Sequence, residues 1–335
     1  MTLAYDALLI VSFGGPEGPD EVLPFLDNVL RGRKVAQQRK LEVAEHYQLF
    51  GGVSPLNAQN RALVAAIEAE LATAGPHLPV YWGNRNWQPF LADTLAQMST
   101  DGIRHCLALV TSAFSSYSGC RQYLENIAEA QAQVGPQAPQ VDKLRGFFNH
   151  PGFIECVAER TRDAIVQIPE ERKDSAALIF TAHSIPLEMA SGCQYVEQLG
   201  EASRLVAERV GRTNWQLAYQ SRSGPPSQPW LEPDINDVLR SLARQGTRDA
   251  VVVPIGFVSD HMEVVYDLDT EARATAADLG LNVVRAGTVG VHPRFVRMVR
   301  ELIVERMTPG APRPALGVLG PRPNRCDPGC CPAKS

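Results

Sequence analysis

Residues 251–271, VVVPIGFVSDHMEVVYDLDTE, concentrate side chains that could do chemistry. An apolar, β-branched run stops at Gly256, and an acidic segment with helical spacing follows. Asp260, Glu263, Asp267 and Glu271 recur at steps of three, four and four, which predicts four carboxylates on one face of one helix. Like charges stacked in this way repel by roughly a few tenths of a kcal/mol per pair, so the face invites a cation. A hard divalent ion suits oxygen donors of this kind, although a solvated helix face is the simpler reading of any acidic helix. His261 opens the segment just past a strand's carboxyl end, where open α/β sheets keep their sites. A second histidine, His183, follows the apolar run 176–181 in the sequence Ala182-His183-Ser184-Ile185-Pro186. Imidazole with carboxylate is a ligand set for Fe(II), and either group can take a proton near neutral pH. Taken alone, His183 could equally be a hydrogen-bonded structural residue.

The elements that must hold these residues alternate along the chain. Strands are expected at 7–13, 80–83, 104–111 and 146–148 or a little before, then at 176–181, 215–220, 250–255 and 282–286. Helices are expected at 19–30, 41–49, 57–74, 117–133, 154–167, 195–210, 235–244, 262–279 and 293–306. This alternation implies parallel sheets joined by crossover helices. Four strands occur twice, so the expected fold is α/β with two similar doubly wound, Rossmann-like halves. Each half has a four-stranded parallel sheet flanked by helices, and a cleft lies between them. The halves are placed at 1–149 and 150–289, with the helix near 290–307 returning to the first half. A Pro/Gly-rich tail occupies 308–335.

The 335 residues are 44% hydrophobic and 21% charged, with a net charge of −5, which fits a globular protein and offers no basic stripe for nucleic acid. No apolar run is long enough to span a bilayer, and the N-terminal segment lacks the basic start of a signal peptide, so the expected location is cytoplasmic. Gly14-Gly15-Pro16 lacks the spacing of a nucleotide-binding turn. Three of the seven cysteines, Cys326, Cys330 and Cys331, crowd into the tail. Three thiolates are one short of a four-cysteine iron–sulfur site. A zinc site or an unliganded tail would use the same residues differently.

FTAHSIP, YQSRSGPPSQPWLEP and PIGFVSDHMEVVYDLDTEA, in this order, resemble the signature stretches of the ferrochelatases, which insert ferrous iron into a porphyrin. SFGGPEGPDEV with LRGR, HYQLFGGVSPLN and TSAFSSYSGCRQYLENI match further segments, so the resemblance runs from about residue 4 to 306. It implies a chelatase fold with its site between the halves. It also implies His183 facing the porphyrin, Glu263 as its partner, and His261, Asp267 and Glu271 along an acidic route for iron. Ser54, Tyr123 and Arg31, with Arg33, are implied as porphyrin anchors; Ser54 could alternatively cap a helix, and Tyr123 could be an ordinary aromatic. Phe13 stands where some relatives carry an iron-ligating tyrosine, so it becomes a pocket wall.

The SFGGPEG opening and the cysteine tail resemble the actinobacterial branch. That branch implies coproporphyrin III as substrate, coproheme as product and a later haem-pathway enzyme as a possible partner, in an otherwise monomeric protein. Protoporphyrin IX, a cobalt chelatase and a non-catalytic haem or iron carrier are the alternatives. Some relatives hold a [2Fe–2S] cluster with tail cysteines and one mid-chain thiol. The resemblance proposes Cys156, Cys326, Cys330 and Cys331 here.

Overall fold

The computed structural model describes residues 4–32, 35–225, 227–327 and 329–333, so Arg33 lies outside the described residues. Two four-stranded sheets, parallel throughout, share one topology. The first comprises β1 (Ala7–Ser12), β2 (Val80–Asn84), β3 (His105–Val110) and β4 (Gln140–Lys143), in the order β2-β1-β3-β4. The second comprises β5 (Ala177–His183), β6 (Trp215–Gln220), β7 (Asp249–Val253) and β8 (Asn282–Arg285), in the order β6-β5-β7-β8. In both, the direction of winding reverses beside the first strand. That leaves a crevice at the carboxyl ends of β1 and β3, and another at those of β5 and β7. Every residue of β1 and of β7 is buried, which is why these strands read as unbroken apolar runs.

The helices are α1 (Val22–Val29), α2 (Gln37–Gln48), α3 (Leu56–Ala74), α4 (Leu91–Thr100), α5 (Gln122–Val134) and α6 (Pro151–Ile165). They continue as α7 (Leu187–Ser191), α8 (Tyr195–Arg209), α9 (Ile235–Arg244), α10 (Met262–Val265), α11 (Arg273–Asp278) and α12 (Pro293–Met307). Helix α4 is absent from the expectation above, although its buried Leu91, Leu95 and Met98 recur at four and three. The fourth strand is Gln140–Lys143 and not the aromatic run after it. Phe147 and Phe148 instead leave the sheet and pack beneath the last helix, with the Phe147 and Phe295 rings 5.8 Å apart. Three helices begin with a histidine whose Nδ1 accepts a backbone N–H: His150 from Gly152, His261 from Glu263 and His292 from Arg294. No helix among the described residues is long and apolar enough to cross a membrane.

Helix α12 packs against both α6 and α3, and the chain beyond it is tied down. The guanidinium of Arg145, 2% exposed, grips Glu305 through two nitrogens at 2.8 and 2.9 Å and also donates to the Pro314 carbonyl at 2.9 Å. Asn149 donates to the carbonyls of Leu316 and Gly320, and Glu201 accepts from the Val318 N–H at 2.6 Å. Proline and glycine prevent this tail from forming a helix or ladder, so side chains of the body satisfy its backbone instead. Arg145→Ala should therefore cost about 3 kcal/mol, because it leaves the buried Glu305 carboxylate to Arg313 at 3.2 Å. Denaturant titration would read the loss, and limited proteolysis should show new cleavage after residue 307. A double change of Arg145 and Glu305 to apolar residues should recover much of the stability.

Candidate active site

The site is assembled where β5 and β7 end. After Val253 the chain turns back across β5: the Gly256 N–H donates to the Thr181 carbonyl at 3.0 Å. A Cβ at Gly256 would lie 2.7 Å from that of Ala182, so no larger residue fits without separating the strands. This approach carries residues 257–263 over the end of β5, where His183 is its last residue. The His183 Nε2 then lies 3.3 Å from a Glu263 carboxylate oxygen, and His261 Nε2 is 3.7 Å from the other. The backbone on both sides is held. Tyr195 O–H donates to the His183 carbonyl at 3.0 Å, and Gln220, 1% exposed, donates to the Glu263 carbonyl.

Hydrogen bonding fixes where the protons are. His183 Nδ1 meets the Ser184 carbonyl, which can only accept, so Nδ1 carries a hydrogen. A neutral ring would then turn the bare Nε2 lone pair toward a carboxylate, so the pair is stable only with a proton between them. Burial pushes His183 down, but the charge and hydrogen bond of Glu263 outweigh it and raise it to about 9. Burial pushes Glu263 up, and the facing His183 outweighs that in turn, lowering it to about 2. The resting pair is imidazolium and carboxylate. Its contribution to stability is complete between the ordinary values, 4.5 and 6.5, and fades as pH rises through about 9 or falls through about 2. His261 differs: its Nδ1 accepts from the Glu263 N–H, and burial with the nearby His183 charge lowers its pKa. Both side chains of the pair open to the cleft, His183 by 30% and Glu263 by 44%, so a ligand can reach them.

The acidic segment is not one straight ladder, and the expectation for it is corrected. Between α10 and α11, Asp267–Ala272 forms a π-helical turn in which the Glu271 N–H reaches back five residues to Tyr266. The extra residue shifts the register of the face. Asp260 precedes the helix and pairs with Arg285 at 3.2 Å, as does Asp269 at 2.7 Å, so Asp260 is neutralised away from the row. Asp267 remains beside the pair. Burial raises it, a Ser221 hydroxyl bond opposes this, and the charges of Glu263 and Glu271 leave it at about 7. Glu271 is raised by burial and by Asp234. A proton can therefore sit on Asp267 at neutral pH while Glu263 stays ionised.

The sequence matches the family model described as Ferrochelatase over residues 5–307. The chain belongs to the ferrochelatase family. It is 53% identical to a protein of Rhodopirellula baltica named ferrochelatase, covering 98% of this chain and 93% of the relative. It is 51% identical to the coproporphyrin III ferrochelatase of Streptomyces griseus (99% and 94% covered) and 55% identical to that of Frankia alni (98% and 87%). Among solved structures, SirB from Bacillus subtilis with Fe3+ superposes with a TM-score of 0.54 at 13% identity, covering 89% of this chain and 96% of that one, which shows the shared fold.

The remaining positions expected from the family's pattern divide. Phe13 stands edge-on to Phe25 at 6.2 Å, and the Arg85 guanidinium lies 5.5 Å from its ring and 4.9 Å from that of Tyr123. The Tyr123 hydroxyl is buried, which raises its pKa, and it feels the charges of both Arg85 and Glu263. Ser54 is 3% exposed beneath Gly15, with its hydroxyl 3.4 Å from the Leu56 N–H, but the N-cap of α3 is Pro55 and not Ser54. Arg31 is exposed and bonds to Asn28. Arg85, Tyr47, Tyr195, Gln220 and Ser221 were missed as site residues. Tyr47 is the clearest omission, because its phenol is raised by burial and by the charges of Glu263 and Asp267. Its signal lay in the quoted stretch HYQLFGG, as that of Gln220 and Ser221 lay in YQSRSG.

Cys156 is fully buried on α6 in the central core, and its charged neighbours are Arg160, Glu159 and Arg294. Among the described residues, no group of three or more His, Cys, Asp or Glu side chains is gathered so as to hold a metal ion. Cys120 and Cys326 line one cavity, where the Cys120 thiol draws Cys326 down to about 7, and Cys330 lies 3.5 Å from Cys331.

A metal can bind the His183–Glu263 pair only by displacing its proton. Affinity for a divalent cation such as Co(II) should therefore rise steadily with pH up to about 9. In Glu263→Gln the largest raising charge is gone, so the rise should level off at a lower pH than in wild type, as titrations at a series of pH values would show.

Proposed function

We propose that the chain inserts Fe(II) into coproporphyrin III to give Fe-coproporphyrin III (coproheme). The observation that carries this reading is the Glu263 carboxylate set 3.3 Å from His183 Nε2 and 3.7 Å from His261 Nε2 at the open end of the second sheet. Metallation removes two pyrrole protons as iron enters, so the site needs groups that can exchange a proton for a metal. Glu263 and His183 are such a pair, since each is a base or a metal ligand according to where the proton sits. His261, deprotonated at neutral pH, offers a second imidazole on the same carboxylate. Asp267 and Glu271 extend the carboxylates away from the pair, and Asp267 can accept or release protons near pH 7. In this reading they conduct iron inward or protons outward.

Phe13, Arg85 and Tyr123 form a wall of two aromatic faces around a cation, suited to a flat macrocycle with carboxylate substituents. Ser54 and Arg31 stay candidates for outer propionates, Ser54 through the neighbouring backbone. The substrate follows from the Streptomyces and Frankia relatives, which are named for coproporphyrin III. A carrier would have no use for a proton-exchanging pair beside a protonatable carboxylate. The resemblance implies a [2Fe–2S] cluster on Cys156, Cys326, Cys330 and Cys331, which the described residues do not fit, since no three or more His, Cys, Asp or Glu side chains among them are gathered to hold a metal.

An anaerobic assay with Fe(II), following the visible spectrum, should show fast conversion of coproporphyrin III and slow or absent conversion of protoporphyrin IX. Glu263→Gln should lower insertion by at least 100-fold while porphyrin still binds, measured by fluorescence quenching. Equal turnover of both porphyrins overturns the substrate. Unimpaired turnover by Glu263→Gln overturns the role of the pair.

A further inference from the structure

The segment that presents Glu263 leaves the second sheet, yet two residues from the part of the chain that forms the first sheet hold it. Before Glu263, the Asp260 N–H donates to the Gln59 side-chain oxygen at 2.9 Å. After it, the His46 imidazole stacks on the Tyr266 ring, with centroids 3.7 Å apart and planes 10° from parallel. Asp260 is three residues before Glu263 and Tyr266 three after, so the two contacts bracket the carboxylate. Gln59 lies at the start of α3 and His46 near the end of α2, so in sequence they flank the turn at 49–55. That turn is fixed to the loop that leaves β1. The Ser54 N–H donates to the Pro16 carbonyl at 2.8 Å, and a Cβ at Gly52 would lie 2.3 Å from the Pro19 Cα.

The second sheet's own surroundings fix the chain as far as Ser259. Phe257, Val258 and Ser259 are buried, and the Gly290 N–H donates to the Val258 carbonyl at 2.8 Å. Asp260 is where the chain emerges, half-buried, and it is held from two directions: its carboxylate by Arg285 and its N–H by Gln59. The helix that follows, α10, has only four residues, too few to be stable through its own hydrogen bonds. Tyr266 closes it, with its N–H on the Met262 carbonyl at 2.7 Å, so a ring held at Tyr266 fixes the far end of α10. Burial lowers the His46 pKa, so the stacked ring is neutral at neutral pH and a phenyl ring can stand in for it.

We propose that Gln59 and His46 are positioning residues for the metallation site: together they clasp residues 260–266 to the side of the cleft that carries Phe13, Arg85 and Tyr123. The clasp sets the distance from Glu263 to His183 and its distance to the aromatic wall in one arrangement. This inference rests on the metallation reading given above. Neither residue supplies a base or a metal ligand; Gln59 acts through Asp260 and His46 through Tyr266. A reacting group displaced by about 1 Å can cost on the order of 100-fold in rate, so a loosened segment is felt in turnover and in metal affinity rather than in porphyrin binding.

The test pairs steady-state insertion of Fe(II) into coproporphyrin III with Co(II) titration of the porphyrin-free full chain, and thermal melts made alongside. Gln59→Leu cannot accept the Asp260 N–H, and His46→Ala removes the stack. Each should lower kcat at least tenfold, leave the porphyrin KM within twofold and weaken Co(II) binding at least fivefold. Gln59→Glu keeps an acceptor and His46→Phe keeps an aromatic face, so these conservative variants should recover both readouts to within threefold of wild type. A merely structural role would lower the melting temperature and leave kcat and Co(II) affinity unchanged in the folded fraction, and that result overturns the proposal. Conservative variants as impaired as Gln59→Leu and His46→Ala overturn it as well. The Co(II) titration contains no porphyrin, so it judges the clasp even where wild type inserts no iron, an outcome that overturns the functional reading alone.

Discussion

The absence of a side chain at Gly256 decides whether the site exists at all. Strands β5 and β7 are adjacent in a parallel sheet, so their carboxyl ends point the same way and the residues leaving them compete for one space. At Gly256 the chain passes within van der Waals contact of Ala182 and bonds to Thr181, with no room for a Cβ. Everything downstream inherits that approach. The three-residue reach from Asp260 to Glu263 then falls over His183, and the His261 imidazole caps the short helix that presents Glu263. A chain that crossed a few ångströms higher would leave an imidazole and a carboxylate each solvated separately, with ordinary proton affinities and no shared proton.

Electrostatics then sort carboxylates that look equivalent in the sequence. Glu263 keeps its charge because an imidazolium faces it. Asp267, one turn on, is raised by burial and by the charges of two neighbouring acids and titrates near neutrality. Asp260 and Asp269 are removed from the set by Arg285, which bridges them. Metallation of a porphyrin has the same requirement in miniature: charges must be traded between protons and a cation without leaving any of them uncompensated in a poorly hydrated cleft.

The fold was legible because central parallel strands are covered on both faces, and β1 and β7 show this as continuous apolar runs. The edge strand β4 was not, since only one of its flanks is paired and its residues are partly exposed, while the more apolar Phe147 and Phe148 belong to the packing under α12. His183 and Glu263 could be found from their position just beyond strand ends. The straight acidic face could not survive the π-helical turn at Asp267, which no hydrophobic period announces. Nor could any spacing rule have joined Arg285 to Asp260, Arg85 to Tyr123 or Cys120 to Cys326. Those partners are set by which loops the two sheets bring to one end, and that is a property of the assembled halves.

The central claim is that one proton bridges His183 and Glu263 in the resting protein. It is tested most directly by nitrogen NMR of imidazole-labelled protein titrated from pH 5 to pH 10. The account predicts that both His183 nitrogens stay protonated through neutral pH and that the ring titrates near 9. A His183 that is already neutral at pH 7, with Nε2 unprotonated, would contradict it.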